Sequence, residues 1–312
     1  MKVGKPIENL YSNLTQAKAG KFSWVTFFAL IKAMRPHQWS KNTLLILPLI
    51  LAHELDDLGV LQDLALGLIC FSLAASAVYL VNDIVDVEVD RKHPEKCFRP
   101  LASGALSKLT AGVFAVAFMG ISFMGAWFLS SSFFYMLGGY FVVTNLYSLV
   151  LKKEEILDVL CLAILYVWRI LAGAALAEVE VSFWLLAFSL FLFLSLALAK
   201  RATEIISLKD MKIPKRGYYK QDLSLIINMG VVSGFGAMII LTMYLHSPKV
   251  LELYSQPQLL WVNIVFLIYW ISRLWLKAAR GKLHHDPIVF ALKDKVSYFV
   301  ALGVFLSGFL AS

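Results

Sequence analysis

From about residue 61 onward, the sequence alternates apolar runs with short charged segments, and most runs approach the ~20 residues that a helix needs to cross a ~30 Å hydrocarbon layer. Nothing in that layer can satisfy a bare backbone N–H or C=O. Each run must therefore be a helix that bonds itself, and the chain must be an all-α, multi-pass membrane bundle. The expected spans fall at about residues 39–55, 61–81, 109–129, 133–151, 156–177, 181–198, 223–245, 259–276 and 296–310. The run at 39–55 is short for a bilayer, and the stretch at 22–34 is shorter again and reads as an interfacial helix. Composition agrees: 59% of the 312 residues are hydrophobic and 16% charged, whereas a soluble domain is near half apolar.

The charges test this arrangement. Basic residues gather in the N-terminal tail, in residues 91–108, at Lys152 and Lys153, in residues 200–220 and in residues 277–295. The intervening segments carry Glu54, Asp56, Asp57, Asp63, Glu178 and Glu180 but a single basic residue, Lys249. Positive loops face the cytoplasm, so the sorting supports about nine helices with the N-terminus inside and the C-terminus outside. The net charge of +8 is thereby a topology signal and implies no nucleic-acid partner. The expected location is the bacterial inner membrane, with residues 1–34 a cytoplasmic tail and interfacial helix and 35–312 a single transmembrane domain. No apolar core followed by a small-residue cleavage site marks a signal peptide. Cys70, Cys97 and Cys161 have no metal-site spacing, and His284-His285-Asp286 lacks further ligands. Gly120, Gly125, Gly138, Gly139, Gly173, Gly230, Gly234 and Gly236 suit close helix packing.

The chemistry concentrates where the run at 61–81 ends, in Asn82-Asp83-Ile84-Val85-Asp86-Val87-Glu88-Val89-Asp90-Arg91. Asn82, Asp86 and Asp90 are spaced by four and share one helix face. Like charges at that spacing repel, so stability alone does not place them there. A hard cation such as Mg²⁺ would remove the conflict, since it binds through one or two carboxylates together with substrate phosphates. Arg91, Lys96 and Arg99 follow directly, and such side chains hold phosphate oxygens. The alternative is a solvated helix end of mixed charge.

Further elements carry charge near the same face. Lys200-Arg201-Ala202-Thr203-Glu204, with Lys215, Arg216 and Tyr218, would suit a phosphate, or would serve as a positive loop anchoring its span. Tyr147 stands before Lys152, and is either a phosphate donor or part of the interfacial aromatic belt. Asp158 and Arg169 lie within one expected span. A membrane arginine is costly, so Arg169 faces a ligand phosphate or an acid. Arg273 lies near a span's end, where it can snorkel to the interface.

The Asn82–Arg91 element resembles the first aspartate-rich motif of the UbiA superfamily of intramembrane prenyltransferases. Its continuation, Asp90-Arg91-Lys92-His93-Pro94-Glu95-Lys96-Cys97-Phe98-Arg99-Pro100-Leu101-Ala102-Ser103-Gly104, is similar to the branch that includes decaprenyl-phosphate phosphoribosyltransferase. So are Arg35-Pro36-x-Gln38-Trp39-x-Lys41-Asn42 and residues Asp286 to Lys295. Cys97 departs from that pattern, standing where a second basic residue beside Lys96 is expected.

The resemblance implies a nine-helix fold with Mg²⁺ held by Asn82, Asp83, Asp86 and Asp90, the three aspartates being catalytic. It implies substrate contacts from Lys41, Asn42, Arg91, Lys96, Arg99, Tyr147, Lys152, Arg169, Lys200, Arg201, Glu204, Lys215, Arg216 and Tyr218. The implied reaction moves phosphoribose from phosphoribosyl diphosphate to an isoprenoid lipid, a polyprenyl phosphate. Prenyltransferases using an allylic diphosphate carry a second Asp-x-x-x-Asp motif where this chain has Lys200, Arg201 and Glu204. The alternatives are transfer of a prenyl group from prenyl diphosphate to an aromatic acceptor, and a non-enzymatic transporter or lipid-binding protein.

Overall fold

The computed structural model describes residues 24–52, 57–92, 96–207, 216–283 and 287–311. The N-terminal tail to residue 21, Glu54, His93 to Glu95, Lys209, Asp210, Lys215 and His284-His285-Asp286 lie outside the described residues. Every element of regular structure among them is a helix. The chain divides into two compact units, one of Met1–Asn145 with Ala172–Val179, the other of Leu146–Leu171 with Glu180–Ser312.

The first unit contains α1 (Trp24–Met34), a 3-10 segment (Pro36–Leu45), α2 (Leu47–Leu51), α3 (Leu58–Asp90), α4 (Lys108–Leu129) and most of α5 (Ser131–Leu149). Asp57 caps α3 by accepting from the backbone N–H groups of Gly59 and Val60. At 33 residues, α3 is about 50 Å long, well beyond the ~30 Å a bilayer requires. It therefore crosses and still carries Asn82 to Asp90 in its last turns. At its seam with α4, Leu80 and Val87 cluster with the small buried Ala111 and Ala115, and Ser122 Oγ donates to the Cys70 carbonyl. Lipid tails are as apolar as leucine, so close van der Waals packing and such cross-helix hydrogen bonds hold these helices together.

The expected span at 39–55 is not one helix. Pro36 opens a 3-10 segment, Ile46 turns, and α2 is only five residues long with Pro48 near its start. Proline supplies no N–H, and here hydroxyls take carbonyls from the ladder: Ser40 Oγ donates to His37 O and Thr43 Oγ1 to Ser40 O. The segment instead anchors to α3, through Trp39 Nε1 to Ser76 Oγ and Asn42 Nδ2 to Ser72 Oγ.

The second unit contains α6 (Leu157–Ala177) as far as Leu171, α7 (Phe183–Ile206), α8 (Leu223–Leu245), α9 (Pro248–Leu253), α10 (Trp261–Ala279), α11 (Pro287–Lys293) and α12 (Lys295–Ala311). The end of α6 groups with the first unit. Ser195 on α7 ties three helices together, donating to the Gly230 carbonyl on α8 and accepting from Trp275 Nε1 on α10. Arg273 does not snorkel. Its guanidinium grips both oxygens of Asp294 at 2.7 and 2.8 Å. Asp294 also accepts from the Ser297 N–H and so caps α12.

Among the described residues, six helices are long and apolar enough to cross a membrane, and Trp24–Met34 and Lys295–Ala311 are shorter apolar helices. Large apolar side chains such as Leu109, Val116 and Phe128 on α4 and Phe305 and Phe309 on α12 point outward. A water-soluble surface does not carry such continuous apolar faces. The protein is an all-α, integral multi-pass membrane protein.

Two tests follow from this packing. A Cβ at Gly173 would lie 2.0 Å from the Leu45 carbonyl oxygen, which is backbone and cannot swing aside, whereas nothing lies within 4 Å of one at Gly120. Gly173→Ala should cost about 1–3 kcal/mol of stability and Gly120→Ala nothing, read by thermal unfolding in detergent. Equal effects would refute the close approach. The Arg273 hydrogen bonds, against the opposing effect of burial, hold the Asp294 carboxyl well below its ordinary range. A depressed folded-state value means stabilisation that is present above the unfolded value and lost as pH falls toward the folded one. Asp294→Asn should therefore destabilise at neutral pH, by an amount that shrinks below about pH 4. A pH-independent cost would contradict this.

Candidate active site

On α3 the side chains of Asn82, Asp86, Asp90 and Asp83 project at about 0°, 40°, 80° and 100° around the helix axis, one continuous arc. Asp83 and Asp90 are buried, at 2% and 4% exposure, while Asn82 and Asp86 are partly exposed. Two arginines from other segments stand on the buried pair. Arg99, just past the 3-10 turn Lys96–Phe98, spans both acids: its Nη1 lies 2.7 Å from Asp90 Oδ2 and 3.2 Å from Asp83 Oδ1. Arg35 follows α1 and reaches the same Asp83 oxygen at 2.6 Å, with its guanidinium 4.9 Å from the centre of the Tyr79 ring. Arg35 holds a left-handed backbone, φ 54°, an uncommon conformation for a residue with a side chain. Asp83 Oδ2 is buried and accepts no hydrogen bond from the described residues.

The neighbouring expected ligands separate. Arg91 turns to Glu88, at 3.2 Å, and donates to the Ala102 carbonyl. Lys108 joins the same Glu88 at 3.4 Å. Lys96 is exposed, Lys41 is partly exposed and Asn42 is buried against Ser72.

The α3 side chains, three carboxylates and a carboxamide, offer oxygen donors, and the buried Asp83 Oδ2 accepts no hydrogen bond from the described residues. In chemistry they fit a hard cation. Among the described residues, however, no three acidic, histidine or cysteine side chains converge as a metal cluster. Arg35 and Arg99 stand on the carboxylates instead.

The second unit holds another arginine–carboxylate cluster. Asp158, in the first turn of α6, is fully buried. Its Oδ1 accepts from Tyr147 OH at 2.9 Å and Arg216 Nη1 at 2.6 Å, and its Oδ2 lies 2.8 Å from Arg201 Nη2, out of hydrogen-bond alignment. Arg201, on α7 and also fully buried, pairs with Glu204 as well. Tyr218 OH accepts from the Ile156 N–H, and the Tyr218 ring lies 5.5 Å from the Arg201 guanidinium. Burial raises the Tyr218 phenol above its ordinary value and keeps it protonated. Burial opposes the charge on Arg216, but Tyr147, Asp158 and Glu204 outweigh it and hold the guanidinium charged.

The exposed edge of this cluster is formed by Arg216 and Glu204, whose side chains are 21% and 26% accessible. Lys200 and Lys152 are partly exposed, and Lys215 lies outside the described residues. Arg169 is buried, donates to the carbonyl of Leu165 on its own helix and lies over the Tyr166 ring. Arg35 and Asp158 were absent from the site residues expected from sequence. Their signal was a lone charge at the mouth of an apolar run, which marks a partner without naming it.

The sequence profile of the UbiA prenyltransferase family matches residues 43–305. Nodulation protein NoeC of Azorhizobium caulinodans is 33% identical over 288 residues, 90% of this chain and 92% of NoeC. Uncharacterized protein y4nM of Sinorhizobium fredii is 36% identical over 86% of this chain, which spans about half (53%) of that protein's length. Decaprenyl-phosphate phosphoribosyltransferase of Mycobacterium tuberculosis is 35% identical over 179 residues, 56% of this chain and 59% of that enzyme. A UbiA homologue from Archaeoglobus fulgidus, solved bound to GPP and Mg²⁺, shares the fold with a TM-score of 0.65 at 17% identity, covering 89% of this chain and 99% of that one. The chain belongs to the UbiA prenyltransferase family.

Proposed function

We propose that the protein is a membrane transferase that moves 5-phosphoribose from phosphoribosyl diphosphate to a polyprenyl phosphate. The observation that carries this reading is the unlike chemistry of the two helix ends. The end of α3 carries Asn82, Asp83, Asp86 and Asp90, while the end of α7 carries Lys200, the buried Arg201 and Glu204, with Arg216 and the α6 acid Asp158 beside them. One acidic and one basic site suit a metal-loaded diphosphate donor and a monophosphate acceptor. The 35% identity to part of a mycobacterial decaprenyl-phosphate phosphoribosyltransferase supports phosphoribosyl transfer to a polyprenyl phosphate.

Asn82, Asp83, Asp86 and Asp90 would hold Mg²⁺, which when bound neutralises diphosphate charge and improves the leaving group. Arg99, and the exposed Lys96, would add positive charge around the diphosphate or the 5-phosphate, whereas Arg91 is turned to Glu88. Arg216 and Lys200 would orient the acceptor phosphate, since Arg201 is fully buried among its own acids. The bond from the ribose anomeric carbon to the diphosphate breaks, and a bond to an acceptor phosphate oxygen forms on the opposite face. The acceptor oxygen is already anionic, so no general base is required and catalysis rests on positioning and charge. By the charge sorting, this chemistry would face the cytoplasm.

A second reading, prenyl transfer from prenyl diphosphate to an aromatic acceptor, is favoured by the fold shared with the GPP-bound homologue. Purified protein in detergent with Mg²⁺ separates the two. Phosphoribosyl diphosphate with polyprenyl phosphate should yield a phosphoribosyl lipid and diphosphate. Turnover of prenyl diphosphate with an aromatic acid instead would overturn the proposal. Asp86→Asn and Asp90→Asn should each lower kcat by at least about a hundredfold with the protein still folded. Full activity in both would remove the metal-diphosphate site. Lys200→Ala should chiefly raise the acceptor KM, and an unchanged KM would release Lys200 from the role given it.

A further inference from the structure

We infer that Arg35 and Arg99 form a latch that neutralises Asp83 and Asp90 before substrate arrives and passes to the incoming diphosphate, so that cation and diphosphate bind as a coupled pair. The inference rests on the reading that the α3 motif takes a divalent cation and a diphosphate. It adds Arg35 to the substrate-handling residues and gives the site an order of events.

The geometry points to an exchangeable contact. Both guanidinium groups converge on one atom, Asp83 Oδ1, at 2.6 and 3.2 Å, and among the described residues none donates to the buried Asp83 Oδ2. A pair built only for stability would satisfy both oxygens with the fork of one arginine, as Arg273 does with Asp294. The arginine side chains remain 24% and 29% accessible beside a carboxylate at 2%, so they form the open side of the cluster. Arg35 reaches the cluster from the left-handed turn that ends α1 and opens the 3-10 segment, where its own N–H donates to Lys32 O and its carbonyl accepts from the Gln38 N–H.

Charge then dictates the coupling. A divalent cation alone must enter where two guanidinium groups already hold the carboxylates. A diphosphate alone brings further negative charge toward Asp86. Bound together, the cation takes the carboxylate oxygens and the diphosphate takes the guanidinium groups, and each releases the other's competitor. By linkage, each ligand must then tighten the other by the same factor.

The test uses the full-length protein in detergent with Mn²⁺ and inorganic diphosphate as probes. Titrations follow each ligand alone and in the presence of the other, by paramagnetic resonance for Mn²⁺ and by calorimetry for diphosphate. The latch predicts that diphosphate tightens Mn²⁺ at least tenfold in the native protein. In Arg35→Gln and Arg99→Gln, Mn²⁺ alone should bind several-fold more tightly, diphosphate more weakly, and the coupling factor should collapse. Mn²⁺ alone should also raise the Tm of these variants more than that of the native protein, because the ion replaces a missing counter-charge. Arg35→Lys, which keeps the charge, should retain near-native Mn²⁺ affinity and guards against a variant that fails to fold. Mn²⁺ affinity unchanged or weakened in both glutamine variants would overturn the latch while leaving the site reading intact. So would uncoupled binding of both ligands to the native protein. A native protein that binds neither ligand would overturn both.

Discussion

A carboxylate buried at the end of an apolar helix must be matched by a cation, and this requirement shapes the structure at both of its chemically rich places. An unpaired charge in such surroundings costs several kcal/mol even after relaxation. Asp83 and Asp90 are answered by Arg35 and Arg99, and Asp158 by Arg201 and Arg216. Arginine is used at every one of these positions. Its guanidinium stays charged in any surroundings, carries several donors in a fixed plane and is more weakly hydrated than an ammonium. The helices are lengthened to serve the same need. Both α3 and α7 run several residues past their apolar stretches, to Asp90 and Ile206, so that the charged turns remain part of a rigid rod.

The two clusters resolve the requirement differently. Around α3, Arg35 and Arg99 stand on Asp83 and Asp90, and the buried Asp83 Oδ2 accepts no hydrogen bond from the described residues. Around α7, Arg201 and Arg216 balance Asp158 and Glu204, Tyr147 donates to Asp158, and Asp158 Oδ2 with Arg201 Nε and Nη2 makes no hydrogen bond to the described residues. The fully buried pair of Asp158 and Arg201 acts as a fixed support, whereas Asp83 and Asp90 are met by arginines that remain partly accessible. Under the proposed reading, the partly open Arg216 and not the sealed Arg201 is the donor on offer to an acceptor phosphate. The departure from a two-acid pattern at the end of α7 thus has a structural counterpart, because the acid that holds Arg201 and Arg216 comes from α6.

Much of the architecture was legible in the sequence because membrane-crossing helices are specified locally. The runs at 109–129, 156–177 and 223–245 each became a helix within a residue or two of the expected bounds. The run at 39–55 misled because mean hydropathy ignores what Pro36, Pro48 and the hydroxyls of Ser40 and Thr43 do to a hydrogen-bond ladder. Gly120 misled for the opposite reason: its helical spacing suits a packed face, yet that point of α4 meets open space.

By itself the sequence determined the fold class, the helix ends that carry charge and the oxygen-rich arc on α3, all properties of short contiguous stretches set by a 3.6-residue period and by hydropathy. Only the tertiary structure decided which cation stands on which acid. Arg35 meets Asp83 across 48 positions of chain, and Arg216 meets Asp158 across 58. Arg91, by contrast, adjoins the α3 motif in sequence and turns away to Glu88. Helical period fixes the direction of a side chain relative to its own axis, whereas ion pairing depends on where a distant segment brings its guanidinium once the helices have packed.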